Sequence, residues 1–146
     1  MCYENISYAI SHIFVMVFMY LFIVHRYSRR TTAGICVCSF MLLSFTNVLK
    51  LNIYPDSQAC NFWVTIFQIL VTQFTGVSIA KYRNSKLLFA GLSASNYVIA
   101  GGVAAKILFM WTENYLISML GSLAVHGSIL FIVYGRIRSV WLRYQE

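Results

Sequence analysis

Residues 6–30 read ISYAISHIFVMVFMYLFIVHRYSRR, and this stretch decides the fold. From Ile6 to Val24 there is no acid, lysine or arginine; the six residues from His25 to Arg30 then hold three arginines. A helix rises about 1.5 Å per residue and a bilayer core is about 30 Å thick, so a run of this length matches one crossing. The arginines mark where it stops, because a guanidinium does not stay in hydrocarbon.

The pattern then repeats four times. The expected spans are 6–24, 33–51, 61–80, 87–110 and 115–134, with a tail over 135–146. The second is the weakest, since Ser39, Ser44, Thr46 and Asn47 thin its hydrophobicity. Composition agrees: 60% of the 146 residues are hydrophobic and 10% are charged. A soluble domain carries about 25% charged residues, so this chain cannot coat itself against water. The expected fold is a single all-α transmembrane domain, a bundle of about five helices placed multi-pass in the cell membrane.

The net charge of +7 does not indicate nucleic-acid binding, because the charges sit in short clusters between apolar runs. Arg26, Arg29, Arg30, Lys81, Arg83, Lys86, Arg136, Arg138 and Arg143 fall in the first, third and fifth breaks, which must share one side. Lys50 and Lys106 lie at the opposite ends of spans two and four, and Glu4, Asp56 and Glu113 also fall on that opposite side. The positive-inside rule therefore puts the N-terminus outside and the C-terminus in the cytoplasm. The first six residues carry no lysine or arginine, so the first run reads as a retained helix and not as a cleaved signal. Tyr27, Tyr54, Trp63, Tyr82, Trp111, Tyr115, Tyr134 and Trp141 lie near span ends, where amphipathic rings favour the interface.

Small residues crowd the last two spans, among them Gly91, Ala94, Gly101 and Ala105 in the fourth and Gly121, Ser122 and Gly127 in the fifth. Close backbone approach makes these two the expected packed centre, with the Phe-rich first and third spans facing lipid. Polar side chains inside the spans are costly and need a partner or a use. The candidates are His12, Asn47, Gln68, Gln73, Asn96, Lys106 and His126. If their faces converge they form a polar pocket opening outward; otherwise they are interhelical glue. Asn96 and His126 are expected at equal depth on adjacent helices. Lys106 and Lys50 either snorkel to the headgroups or hold an anion at the outer mouth.

Cys36 and Cys38 read as small apolar fillers, and Cys2 and Cys60 both fall on the outer side, where a disulfide between them is open. No phosphate-binding loop, zinc-protease or serine-hydrolase motif occurs, so no catalytic residue, cofactor or metal site is expected.

Three stretches carry a resemblance: residues 88–98 (LFAGLSASNYV), 120–126 (LGSLAVH) and 136–146 (RIRSVWLRYQE). They resemble the multi-span membrane input regions that precede GHKL-type histidine kinase output domains in sensors of Firmicutes. The resemblance covers about the last 65 residues and implies a sensor of a two-component system. It departs from that pattern after Glu146, where an ATP-binding domain would follow, and no residue here matches a kinase motif. The expectation is an input module, either a truncated sensor or a partner of a separate signalling protein, with a homo-oligomer as the other assembly. A small transporter subunit or substrate-binding membrane component is the alternative.

Overall fold

The computed structural model describes residues 2–53, 57–83 and 85–145, without the side chains of residues 2–5 and 145. Tyr54, Asp56 and Glu146 lie outside the described residues, as do the side chains of Cys2 and Glu4, so the expected places of Asp56 and Glu4 and the Cys2–Cys60 pairing fall outside them too. Among the described residues the fold is all-α: α1 (Cys2–Phe22), α2 (Arg29–Ile53), α3 (Gln58–Ile79), α4 (Ser85–Thr112), α5 (Tyr115–Arg136) and α6 (Arg138–Gln145). Each expected span falls on one of the first five, with ends shifted by a few residues. Helices α2, α3, α4 and α5 are long and apolar enough to cross a membrane. The apolar stretch of α1, Ile6–Phe22, is shorter, but the whole helix of 21 residues is about 30 Å long.

Neighbouring helices run up and down, so the ends fall into two groups. At one end the backbone of Arg26 donates to the carbonyl of Ile79 (2.8 Å) and that of Lys81 to the carbonyl of Val24 (2.8 Å). These bonds clip the exits of α1 and α3 together, and they place two basic breaks side by side. Lys86, at the start of α4, donates to the backbone carbonyl of Tyr144 in α6, so the third basic break joins them. At the far end, Lys50 of α2 lies over the ring of Tyr8 in α1 at 5.2 Å. Helices α4 and α5 are joined there by Glu113 and Asn114. So tight a turn holds Glu113 in the left-handed region (φ 50°). Asn114 caps α5, its Oδ1 accepting from the backbone of Leu116 (2.9 Å) and Ile117 (3.4 Å).

The centre differs from the sequence expectation. The buried core is built chiefly from α1, through Val15, Met16, Phe18, Met19 and Phe22, with Ile23 just past its end. Helix α1 touches every other helix, and α5 buries only Ser122 and His126. The small residues of α4 and α5 do bring those two helices into the most extensive contact of the fold. Close pairing and centrality are separate properties: small side chains bring backbones together, but large ones fill the space where several helices meet. The outer wall is apolar, with Phe74 74% and Phe131 79% exposed. An apolar surface of this extent suits lipid, not water.

The tail is also more ordered than a free cytoplasmic extension. Arg138, Trp141 and Leu142, spaced to share one face of α6, are half-buried, whereas Ser139, Val140 and Arg143 are exposed. Arg138 Nε donates to the carbonyl of Leu21 (3.0 Å), and Trp141 Nε1 to that of Phe22 (3.1 Å). The last carbonyls of a helix have no partner inside it, so α6 caps α1 from a distance of over a hundred residues in sequence. Trp141 also packs on Phe89 of α4 at 5.5 Å.

Candidate functional site

The polar side chains inside the bundle form two clusters, on different sides of α1. His12 and Phe14 stand two residues apart, roughly 200° around the helix, so one faces α2 while the other faces α4 and α5.

The first cluster links three helices. Asn47 Nδ2 donates to His12 Nε2 (2.5 Å), and Gln68 Nε2 donates to Asn47 Oδ1 (2.9 Å) and Thr46 Oγ1 (3.3 Å). An amide nitrogen only donates, so His12 Nε2 is the acceptor and its ring proton sits on Nδ1. His12 and Asn47 are buried. About two turns nearer the basic end, Thr75 Oγ1 donates to Ser39 Oγ (2.7 Å). This ladder holds α3 onto α2 and α2 onto α1.

The second cluster surrounds His126, which is fully buried. Its Nδ1–H is shared between the Ser122 carbonyl (2.8 Å) and Ser122 Oγ (3.3 Å). Ser122 Oγ in turn donates to the Gly101 carbonyl at 3.4 Å. Phe14 stacks on the imidazole at 5.0 Å, and Tyr97 meets it edge-on at 5.1 Å. The Tyr97 hydroxyl donates to the His126 carbonyl (2.7 Å). The ring lies directly against Gly101, where a Cβ would overlap it. His126 Nε2 is buried with no hydrogen-bond partner among the described residues.

Above that cluster, toward the far end, lies a cavity of about 360 Å³ between α1, α4 and α5. Ser11, Lys106, Phe109, Met119 and Ser118 are on its wall. Ser118 stands one turn before Ser122 and two before His126, so a single face of α5 runs from cavity to buried imidazole. Ser118 Oγ donates to the Ala105 carbonyl (2.7 Å).

Of the two readings left open for these residues, a converging pocket or contacts between helices, the described side chains do not form one pocket. His12, Asn47 and Gln68 come together as a hydrogen-bonded cluster, and they do not line the cavity. Gln73 packs on Gly91, where α3 meets α4. Asn96 is exposed on the outer face of α4, and the expected pair with His126 does not form. The next residue, Tyr97, turns inward and takes that place. Of the seven candidates only Lys106 reaches the cavity. The basic residues Arg26, Arg29, Arg30, Lys81, Arg83, Arg136 and Arg143 are exposed, and Lys86 and Arg138 are half-buried against α6 and α1.

Sequence reasoning passed over Tyr97, Ser11 and Ser118. The signals were present: a tyrosine more than ten residues from either end of α4 is out of place for an interfacial anchor, and Ser118, Ser122 and His126 recur every fourth residue. Neither the chain's sequence nor its fold matches a family model, a curated protein or a solved structure.

Proposed function

We propose that the chain is a membrane-embedded signal-input module. In this reading it crosses the cell membrane five times, with its N-terminus outside and its basic end in the cytoplasm. The basic breaks gathered at one end of the bundle support that orientation. A signal arriving at the outer cavity passes along α1 to α6, and from there to a cytoplasmic output partner or a second copy. Catalysis, in this reading, belongs to the partner.

One observation carries the proposal. Helix α1 lines the cavity with Ser7, Tyr8 and Ser11, and at its other end its terminal carbonyls are held by Arg138 and Trp141 of α6. A shift of α1 on occupation of the cavity would change the seat of α6 directly. The resemblance of residues 136–146 to the exit helix of bacterial sensor input regions points the same way.

The test separates signalling from transport. A paired Arg138→Ala and Trp141→Ala variant frees α6 without touching the cavity. In membranes of the native host, wild-type chain is expected to crosslink to a cytoplasmic partner or a second copy through an exposed α6 position such as Ser139, and the variant to lose that crosslink while staying inserted. Saturable solute accumulation in vesicles holding only this chain would replace the signalling reading with the transport one.

A further inference from the structure

The far-end cavity has a chemistry that selects its occupant. Lys106 contributes a cation with no hydrogen bond or ion pair among the described residues. The Ser7 and Ser11 hydroxyls, on the opposite wall, likewise have no partner among the described residues. A second ammonium, Lys50, rests on the Tyr8 ring that forms part of the same wall. Beside Ser118 and Tyr115, the described wall carries the apolar, soft side chains of Phe109, Met110 and Met119. Thioether side chains adapt to chains of varied shape. A cation and hydroxyls without partners among the described residues, set beside apolar side chains, call for an anion attached to an apolar body, since either part alone would leave half the cavity poorly matched. The volume of about 360 Å³ lies at the small end of ligand pockets and suits one slender chain.

We propose that this cavity binds an anionic amphiphile, with a carboxylate or phosphate head on Lys106 and the α1 hydroxyls, and its first methylenes against Phe109 and the methionines. The proposal deepens the signal-input reading and rests on it only for the consequence of binding. The ligand reaches the site either from the surrounding leaflet or from water, and the head-and-chain chemistry is common to both.

The full chain in nanodiscs of zwitterionic phosphatidylcholine is titrated with dodecanoate and with dodecyl phosphate, following the thermal unfolding midpoint and native mass spectra. Both are expected to bind saturably. Dodecanol, with the same chain and no charge, and acetate, with the charge and no chain, are expected not to. Lys106→Gln should weaken binding by about tenfold or more, the usual weight of a charge-assisted hydrogen bond. A side chain at Gly102 enters open space at the cavity wall, so Gly102→Leu should block the site with the bundle intact. Phosphatidylglycerol doped into the disc assigns the ligand to the leaflet if it competes with dodecanoate, and to water if it does not. Dodecanol binding as tightly as dodecanoate, or undiminished binding by Lys106→Gln, overturns the proposal. Binding that leaves a spin label at Ser139 unmoved refutes the signal-input reading and keeps the site. No binding refutes the site and leaves the crosslinking test of α6 standing.

Discussion

Gly101→Ala is the substitution on which the packing argument stands or falls. In most helices the change is favourable, because Gly costs up to about 1 kcal/mol relative to Ala through backbone entropy. Here the added methyl would overlap the His126 ring. The ring has no room to retreat: its face is covered by Phe14, its edge by Tyr97, and its Nδ1–H is tied to the Ser122 carbonyl. Forcing one methylene-sized group into a filled core costs about 1–3 kcal/mol. Losing the imidazole hydrogen bond adds about 0.6 kcal/mol at the average found between membrane helices. Against a propensity gain of about 1 kcal/mol, the net loss should be about 0.6–2.6 kcal/mol. Gly34, Gly127 and Gly135 meet nothing where a Cβ would stand, so Gly34→Ala, Gly127→Ala and Gly135→Ala are the controls, expected to be neutral or slightly stabilising. The assay is reversible unfolding in detergent, with denaturant titration followed by far-UV circular dichroism. His126→Ala removes the obstacle, so Gly101→Ala should cost markedly less in that background. Gly101→Ala matching the controls, or full additivity with His126→Ala, would refute the reasoning.

Asn47→Ala and Gln68→Ala should each destabilise the bundle by about 1 kcal/mol, because Asn47 bonds His12 and Gln68, and Gln68 bonds Asn47 and Thr46; the same unfolding titration checks that the two losses are comparable. Trp141→Phe keeps the ring contact with Phe89 but removes the donor to the Phe22 carbonyl, so a spin label at Ser139 should gain mobility while the melting midpoint falls by only a few degrees. In a cysteine-free background, Glu113→Cys should react with a membrane-impermeant maleimide on intact cells and Arg83→Cys only after permeabilisation; equal labelling of both from outside would remove the five-crossing orientation.

The helices were legible because two independent signals coincide in the sequence. Apolar runs of membrane-crossing length alternate with clusters such as Arg26–Arg30 and Lys81–Lys86, and length and charge place the same boundaries. The identity of the central helix was not legible. Gly101 and Ser122 mark where α4 and α5 come close, which composition does show. Whether Met19 and Phe22 of α1 turn toward the other helices or toward lipid depends on how the helices are arranged around one another. Lipid tails are as apolar as a protein core, so a Phe-rich face reads the same in either place.

The site follows the same division. Residue type found the polar members, and His12, Asn47 and Gln68 do meet, because a buried amide or imidazole in this setting has few stable alternatives to another side chain. Depth counting then failed at Asn96. Depth fixes only one coordinate of a helical position, and a step of one residue turns the side chain by about 100°. That step exchanges Asn96, exposed to the surroundings, for Tyr97, whose hydroxyl reaches the His126 carbonyl. The rotational coordinate was available from the fourth-residue recurrence of Ser118, Ser122 and His126, which defines one face of α5 without reference to any partner. The same face leads from the buried imidazole to the cavity beside Lys106. A substitution that perturbs His126 is therefore expected to be felt at the cavity floor through Ser122, whereas one in the His12 cluster must act through α1.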